Sequence, residues 1–286
     1  VNNEHCKGKI VCSIYLSYRQ AFINFVTVAA QQRFFLELAY DGTWYHGWQI
    51  QHNALTVQQK LNEALAILLR QPVETIGAGR TDTGVHARQM FVHFDVPQLP
   101  EEEVAQYIES FPFRGLGGLN ALLPYEIAIK RIILVHPEAH ARFDAVLRSY
   151  EYHIHFYKDP FKLNRSWLVK GGLDVALMNQ AAAILMDHTD FSCFSKSNTQ
   201  VKTNNCKITR AEWVQTGDSL VFHISADRFL RNMVRAIVGT LVQVGRQEIS
   251  PESIRQIISS KNRSNAGASV PACGLYLTAV KYPYID

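Results

Sequence analysis

Cysteine is sparse in this chain: five in 286 residues, an odd number with no Cys-x-x-Cys pair. That argues against a disulfide framework and against a zinc site, and a reducing cytoplasm fits best. Charge is also modest, 19% against 47% hydrophobic residues, which excludes a disordered chain and leaves enough apolar surface for a core. Membrane-length apolar runs are missing; Ala21 to Ala30 is bracketed by Arg19 and Arg33 and is too short to cross a bilayer. Lys7, Lys9 and Arg19 around Phe22 to Val26 make only a weak signal-peptide pattern. We read residues 1–32 as an N-terminal extension and assign it no function. A net charge of +4 is compatible with a nucleic-acid partner and does not identify one.

What is present is concentrated in the stretch from Gly77 to Ala87, Gly-Ala-Gly-Arg-Thr-Asp-Thr-Gly-Val-His-Ala. Val73 to Ile76 before it is β-branched, and Met90 to Val96 after it alternates, so a glycine-punctuated loop is expected between two strands. Glycines at 77, 79 and 84 would let the backbone take positive φ and hold Asp82 toward a ligand. Three other readings stay open from the residues alone. Asp82 caps a turn beside a solvated Arg80. The loop cradles phosphate, although no Gly-Lys-Ser/Thr follows. Or Asp82-Thr83-Gly84 is half of an aspartic protease dyad, which would need a dimer because no second Asp-Thr-Gly exists.

The rest of the chain reads as an α+β layer, helices on one face of a mainly antiparallel sheet. Gln32 to Tyr40 is a strand with Phe34, Leu36, Leu38 and Tyr40 on one face. Thr56 with Gln59 is a capping box for a helix that buries Val57, Leu61, Ala64, Leu65, Leu68 and Leu69. Pro100 to Glu103 opens a second helix, and Tyr125 to Val135 is a strand. A boundary near Pro137 divides the chain into 33–138 and 139–286. In the second part Val146 to Phe156 is a strand, Asp174 to Asp187 a capped helix, and Ser195 to Asn205 a polar loop with Lys196, Lys202, Lys207 and Arg210 within or beside it. Ile208 to Val214 and Leu220 to Ala226 form a hairpin. A helix is expected from Arg228 to Gly245, with Arg228, Arg231 and Arg235 along one face and Leu230, Val234, Ile237 and Leu241 along another. Ser250-Pro251-Glu252 starts a short helix, and Ala272 to Leu277 is a strand.

Several of these segments resemble one family. Gly79-Arg80-Thr81-Asp82-Thr83-Gly84-Val85-His86-Ala87 is similar to the catalytic loop of the tRNA pseudouridine synthase A family. Tyr40-Asp41-Gly42-Thr43, Arg148-Ser149-Tyr150-Glu151-Tyr152, Met233-Val234-Arg235-Ala236-Ile237-Val238-Gly239 and Gly274-Leu275-Tyr276-Leu277 match further motifs in the right order, from about Phe34 to Pro283. His188-Thr189-Asp190-Phe191 fits less well because Thr189 is inserted. The resemblance implies two similar halves whose sheets join into one, with a central basic cleft, working as a homodimer with neither metal nor organic cofactor. It implies isomerisation of uridine to pseudouridine at tRNA positions 38 to 40. Asp82 would be the nucleophile, Arg235 its partner, and Tyr150 and Leu277 the walls of the base pocket, with Tyr150 also a candidate for the final proton removal. Arg80 would enter the RNA helix, and Arg228 and Arg231 would contact phosphates. A catalytically silent RNA-binding module using the same cleft is the alternative from another class.

Overall fold

Five successive buried residues, Phe34 to Leu38, give the first strand its place at the centre of the molecule's first half. The computed structural model describes residues 31–97, 116–196 and 203–285. The helix expected from Pro100, the segment before residue 31 and the middle of the 195–205 loop, including Lys202, lie outside the described residues.

Strand β1 (Gln31–Tyr40) pairs antiparallel with β3 (His86–Pro97) on one side and β4 (Ile127–Val135) on the other. Its alternation was expected to bury one face, yet both faces are covered. Phe34, Leu36 and Leu38 meet α1 (Val57–Leu69), while Phe35 packs against Tyr282 and His93 on the far side. Glu37, on that second face, survives burial because Arg131 Nε donates to it at 2.5 Å and Gln89 Nε2 at 3.0 Å. The Thr56 hydroxyl accepts from Gln59 N–H and starts α1, and Arg70 ends it in the left-handed conformation. The strand expected over Val73 to Ile76 shrinks to β2 (Ile76–Gly77), because Pro72 and the tie of Thr75 to Asn62 hold the approach in an irregular path.

A short helix α2 (Leu116–Leu122) precedes β4. The second half contributes β5 (Leu147–His155), the two-residue β6 (Trp167–Leu168), α3 (Val175–Ile184), and the hairpin β7 (Ile208–Thr216) and β8 (Ser219–Ala226). Asp174 caps α3 by accepting from Leu177 N–H at 3.0 Å, as the sequence indicates. Then follow α4 (Met233–Gly245), α5 (Ser253–Ser260) and β9 (Leu275–Lys281). Ser250 does not cap α5; its hydroxyl meets the Ser253 hydroxyl at 3.0 Å.

All of these strands join one sheet in the order β4-β1-β3-β9-β5-β8-β7, with β2 beside β3 and β6 beside β5. Pairing is antiparallel except β3–β9 and β5–β6. The last strand is therefore the seam: β9 lies between β3 of the first half and β5 of the second. Each half has its own apolar cluster, one built on β1 and α1 and the other on Tyr152, Phe222, α3 and α4. Ala139, Ala141, Ala145 and Tyr282, beyond residue 137, nevertheless pack into the first cluster. Burying each Phe or Leu in such a cluster stabilises the fold by roughly 1.5–3 kcal/mol, which is what keeps the seam closed.

Candidate active site

The loop carrying Asp82 is held by the segment just after β1. Thr81 O accepts from Trp48 N–H at 3.3 Å, Tyr45 O accepts from Gly84 N–H at 3.2 Å, and the Tyr40 and Thr81 hydroxyls meet at 2.9 Å. Val85 N–H closes the turn onto Asp82 O at 3.2 Å. These contacts explain why the segment from Tyr40 to Gln49 is built as it is: a Cβ on Gly42 would stand 2.0 Å from Val85 O, and one on Gly47, at φ +84°, 2.2 Å from Thr81 O. Of the loop's own glycines only Gly84, at φ 77°, takes the left-handed conformation. Gly77 is small for another reason, since its place is filled by Trp48 and Met90, and Gly79 faces open space.

His86 ends the loop inside the seam. Its Nε2 donates to the carbonyls of Asn164 and Cys273, at 3.0 and 3.2 Å, and its Nδ1 accepts from Gly42 N–H at 3.1 Å. Burial lowers its pKa below the usual value, opposed by the Asp41 carboxylate 3.1 Å from Nδ1.

Across the seam, Asp82 meets arginine. Arg235 Nη1 donates to Asp82 Oδ2 at 3.3 Å while its Nε donates to Val270 O at 2.7 Å, so two bonds fix the guanidinium. Arg231 Nε lies 3.9 Å from Asp82 Oδ1. Side-chain exposure is 30% for Asp82 and 20% for Arg235, leaving the carboxylate reachable but not freely solvated. The arginine stripe differs from expectation. The helix begins only at Met233, because Asn232 at φ 66° breaks the chain direction, so Arg228 and Arg231 belong to the preceding turn. Released from the helix, Arg231 turns toward Asp82, while Arg228 faces a different set of groups.

Those groups include Arg142 and Arg148, whose positive charges it repels, and Arg80 repels Arg142 in turn. Burial, then repulsion from Arg80, Arg148 and Arg228 in that order, lowers the pKa of Arg142. Arg148 organises the set. Its Nη1 donates to Ala145 O and Asp227 O, both at 2.9 Å, and its Nη2 to Ala78 O at 3.1 Å and Arg142 O at 2.6 Å. Sequence pattern assigns neither Arg142 nor Arg148 a role of its own, although Arg148 opens the motif that carries Tyr150. The signal available was their place beside Tyr150. Of the other basic residues noted, Arg210 is engaged by Glu212 at 2.6 Å.

Tyr150 stands where two strands bring it to Leu277, its direct partner in the β5–β9 register. Thr278 is the extra residue at this point, between Leu277 opposite Tyr150 and Ala279 opposite Ser149. Phe229 meets the Tyr150 ring edge-on at 5.1 Å. Desolvation pushes the Tyr150 phenol up to about 12, with the positive Arg148 opposing and the nearby Asp82 charge adding to it. Leu277 is only 2% exposed and packs in the first-half core, so it is an inner wall rather than a surface contact. Among the described residues no cluster of metal ligands occurs, and no helix is long and apolar enough to cross a membrane.

A carboxylate paired with guanidinium at the seam of a bipartite antiparallel sheet is the layout on which comparison with known proteins bears. A sequence model described as tRNA pseudouridine synthase matches residues 181–283. The chain is 50% identical over 252 residues to tRNA pseudouridine synthase A of Parabacteroides distasonis, covering 88% of this chain and 96% of that one. It is 50% identical over 255 residues to the protein of the same name from Bacteroides fragilis, and 51% over 254 residues to that from Porphyromonas gingivalis, covering 88% of this chain and 97% of each relative. The chain belongs to the tRNA pseudouridine synthase A family.

Proposed function

We propose that this chain isomerises uridine to pseudouridine in tRNA, at positions 38 to 40 of the anticodon stem-loop, with Asp82 as nucleophile. The observation that carries the reading is the 3.3 Å contact between Asp82 and Arg235, residues 153 positions apart. Nothing in a purely structural turn requires such a pairing at a site still open to solvent.

A stacked uridine is unreachable, so the base must leave the helix at a cost of roughly a few kcal/mol. Arg80, exposed at the loop tip two residues from Asp82, fills the vacated space. Asp82 attacks either carbon 6 of the uracil or the anomeric carbon and the N1 glycosidic bond breaks; the base turns, carbon 5 bonds to the anomeric carbon, the bond to Asp82 breaks to free the carboxylate, and carbon 5 loses its proton. Arg235 stabilises the attacking carboxylate and Tyr150 packs on the base. Desolvation pushes the Tyr150 phenol up to about 12, and Tyr150 is also the candidate for taking the carbon 5 proton. Leu277 supports the pocket from behind. Arg228 takes phosphates; Arg231, beside Asp82, divides its charge between the carboxylate and the RNA backbone.

We take the protein to act as a cytoplasmic homodimer, divided near residue 138 into a half bearing the Asp82 loop and a half bearing Arg235, without metal or organic cofactor. A dimeric protease is disfavoured by the company Asp82 keeps, which is cationic where a dyad needs a second carboxylate. A silent RNA-binding module would share the basic cluster but would not turn over. Tritium release from tRNA labelled at carbon 5 of uridine separates these readings. We expect release with the wild-type chain and none with Asp82→Asn, tRNA binding being retained; release by the variant would remove Asp82 as nucleophile.

A further inference from the structure

Phe143 is 76% exposed, although its backbone is among the most firmly tied in the molecule. His140 N–H donates to Asp144 Oδ2 at 2.7 Å, and the N–H groups of Arg142 and Phe143 both donate to His140 Nδ1, at 3.1 and 3.3 Å. Ala141 N–H donates to the buried His93 Nδ1 at 3.1 Å, and Tyr284 donates to Asp144 at 2.7 Å. Ala139 and Ala141 are fully buried on either side of His140. An exposed aromatic on a mobile loop is ordinary; here a rigid loop presents it. The His140 ring lies 4.2 Å from the Phe143 ring, and the Arg142 guanidinium 6.0 Å over it.

The surroundings of this loop are the second observation. Arg148 ties it, through Arg142 O and Ala145 O, to Ala78 at the root of the Asp82 loop and to Asp227 beside Arg228. The Arg142 guanidinium, 6.0 Å over the Phe143 ring, feels the positive charges of Arg80, Arg148 and Arg228, and the Asp227 charge partly offsets that of Arg148. Such a set of positive charges is complementary to a polyanion, and a phosphodiester passing it lays its base beside the ring.

We propose that Phe143, backed by His140, is a stacking platform for one unpaired base of the RNA substrate, a nucleotide neighbouring the uridine that reaches Asp82. This rests on the proposed function for the identity of the RNA. The platform adds a base contact to what would otherwise be a purely electrostatic grip.

The test measures binding of an unmodified tRNA transcript to the full chain across a sodium chloride series, in an Asp82→Asn background that prevents turnover. Phe143→Ala and Phe143→Leu should each raise Kd by about 10-fold or more, and Phe143→Trp should hold it near the parent value. Stacking releases no counterions, so Phe143→Ala should leave the slope of log Kd against log salt unchanged, whereas Arg142→Ala should flatten it by about one. Parent-like binding by the Ala and Leu variants overturns the proposal, as does full rescue by Leu, which would mean simple apolar contact. Loss of a dimer on size exclusion by Phe143→Ala also overturns it, placing the ring between copies of the chain. Failure of the isomerase reading would look different: no tritium release by the wild-type chain, with the dependence on Phe143 intact.

Discussion

Arg148 Nη2 donates to the carbonyl of Ala78 at 3.1 Å, joining residues 70 positions apart and linking strand β5 to the root of the loop that carries Asp82. The same guanidinium reaches Ala145, Asp227 and Arg142. Charge-assisted bonds to carbonyls are among the stronger ones available, and a planar fork is needed to make four at once. Burial lowers the Arg148 pKa, and the nearby Asp227 charge opposes the shift.

Arg148→Lys keeps the charge and loses the fork. We expect a loss of roughly 1–3 kcal/mol in chemical denaturation, because at least one of the four carbonyls is left unpaired, together with a fall of about 10-fold or more in single-turnover rate as the Asp82 loop loosens. Wild-type stability would show that the carbonyls find other donors.

Arg235→Lys and Arg235→Ala separate charge from geometry. Arg235 makes one bond to Val270 O and one to Asp82, which a single ammonium cannot reproduce. Both variants should lower turnover by about 100-fold, with melting temperatures near wild type because the side chain is 20% exposed and lies outside the apolar cluster of α4. A variant that only unfolds would assign Arg235 a structural role instead.

Two glycine substitutions should diverge. Gly42→Ala pushes a methyl against Val85 O, backbone that cannot give way, and should cost roughly 2–4 kcal/mol by denaturation. Gly79→Ala meets nothing within 4 Å and should change stability by less than about 1 kcal/mol.

His93 makes the fold sensitive to acid. Its Nδ1 must stay unprotonated to accept from Ala141 N–H, and burial, helped by the positive Arg33, lowers its pKa from 6.5 to about 4. Between those values the unfolded chain takes up a proton that the folded chain refuses. Stability is therefore full above about pH 6.5 and falls as the pH drops toward 4, by roughly 2–3 kcal/mol after allowance for partial screening. Thermal melts across this range should show the loss in wild type and a smaller slope in His93→Gln. Because the bond to Ala141 holds the Phe143 loop, weakened tRNA binding should accompany it.

The local pieces were legible because their causes are local. Alternation marks the β7–β8 hairpin, the Thr56 hydroxyl marks the start of α1, and the spacing of Val57, Leu61 and Leu65 marks the face it buries. Asp82 and Arg235 could be picked out through the motifs around them, but not their separation. Where local pattern misled, a long-range contact had intervened. The periodicity of Arg228, Arg231 and Arg235 suits a helix, yet Asn232 turns the chain and Arg231 comes to lie by Asp82. The glycines at 77 and 84 look alike in sequence; one makes room for Trp48 and the other bends the backbone.

Residue identities alone thus determined the elements, their buried faces and the chemical groups at hand. Only the tertiary structure decided which of those groups meet, because the deciding event is the insertion of the last strand, β9, between β3 and β5. That pairing sets Leu277 opposite Tyr150 and closes the seam on which Asp82 and the α4 arginine converge. Hydrogen bonds between strands so far apart in the chain leave no periodic trace in it: their register is settled by the packing of both cores at once.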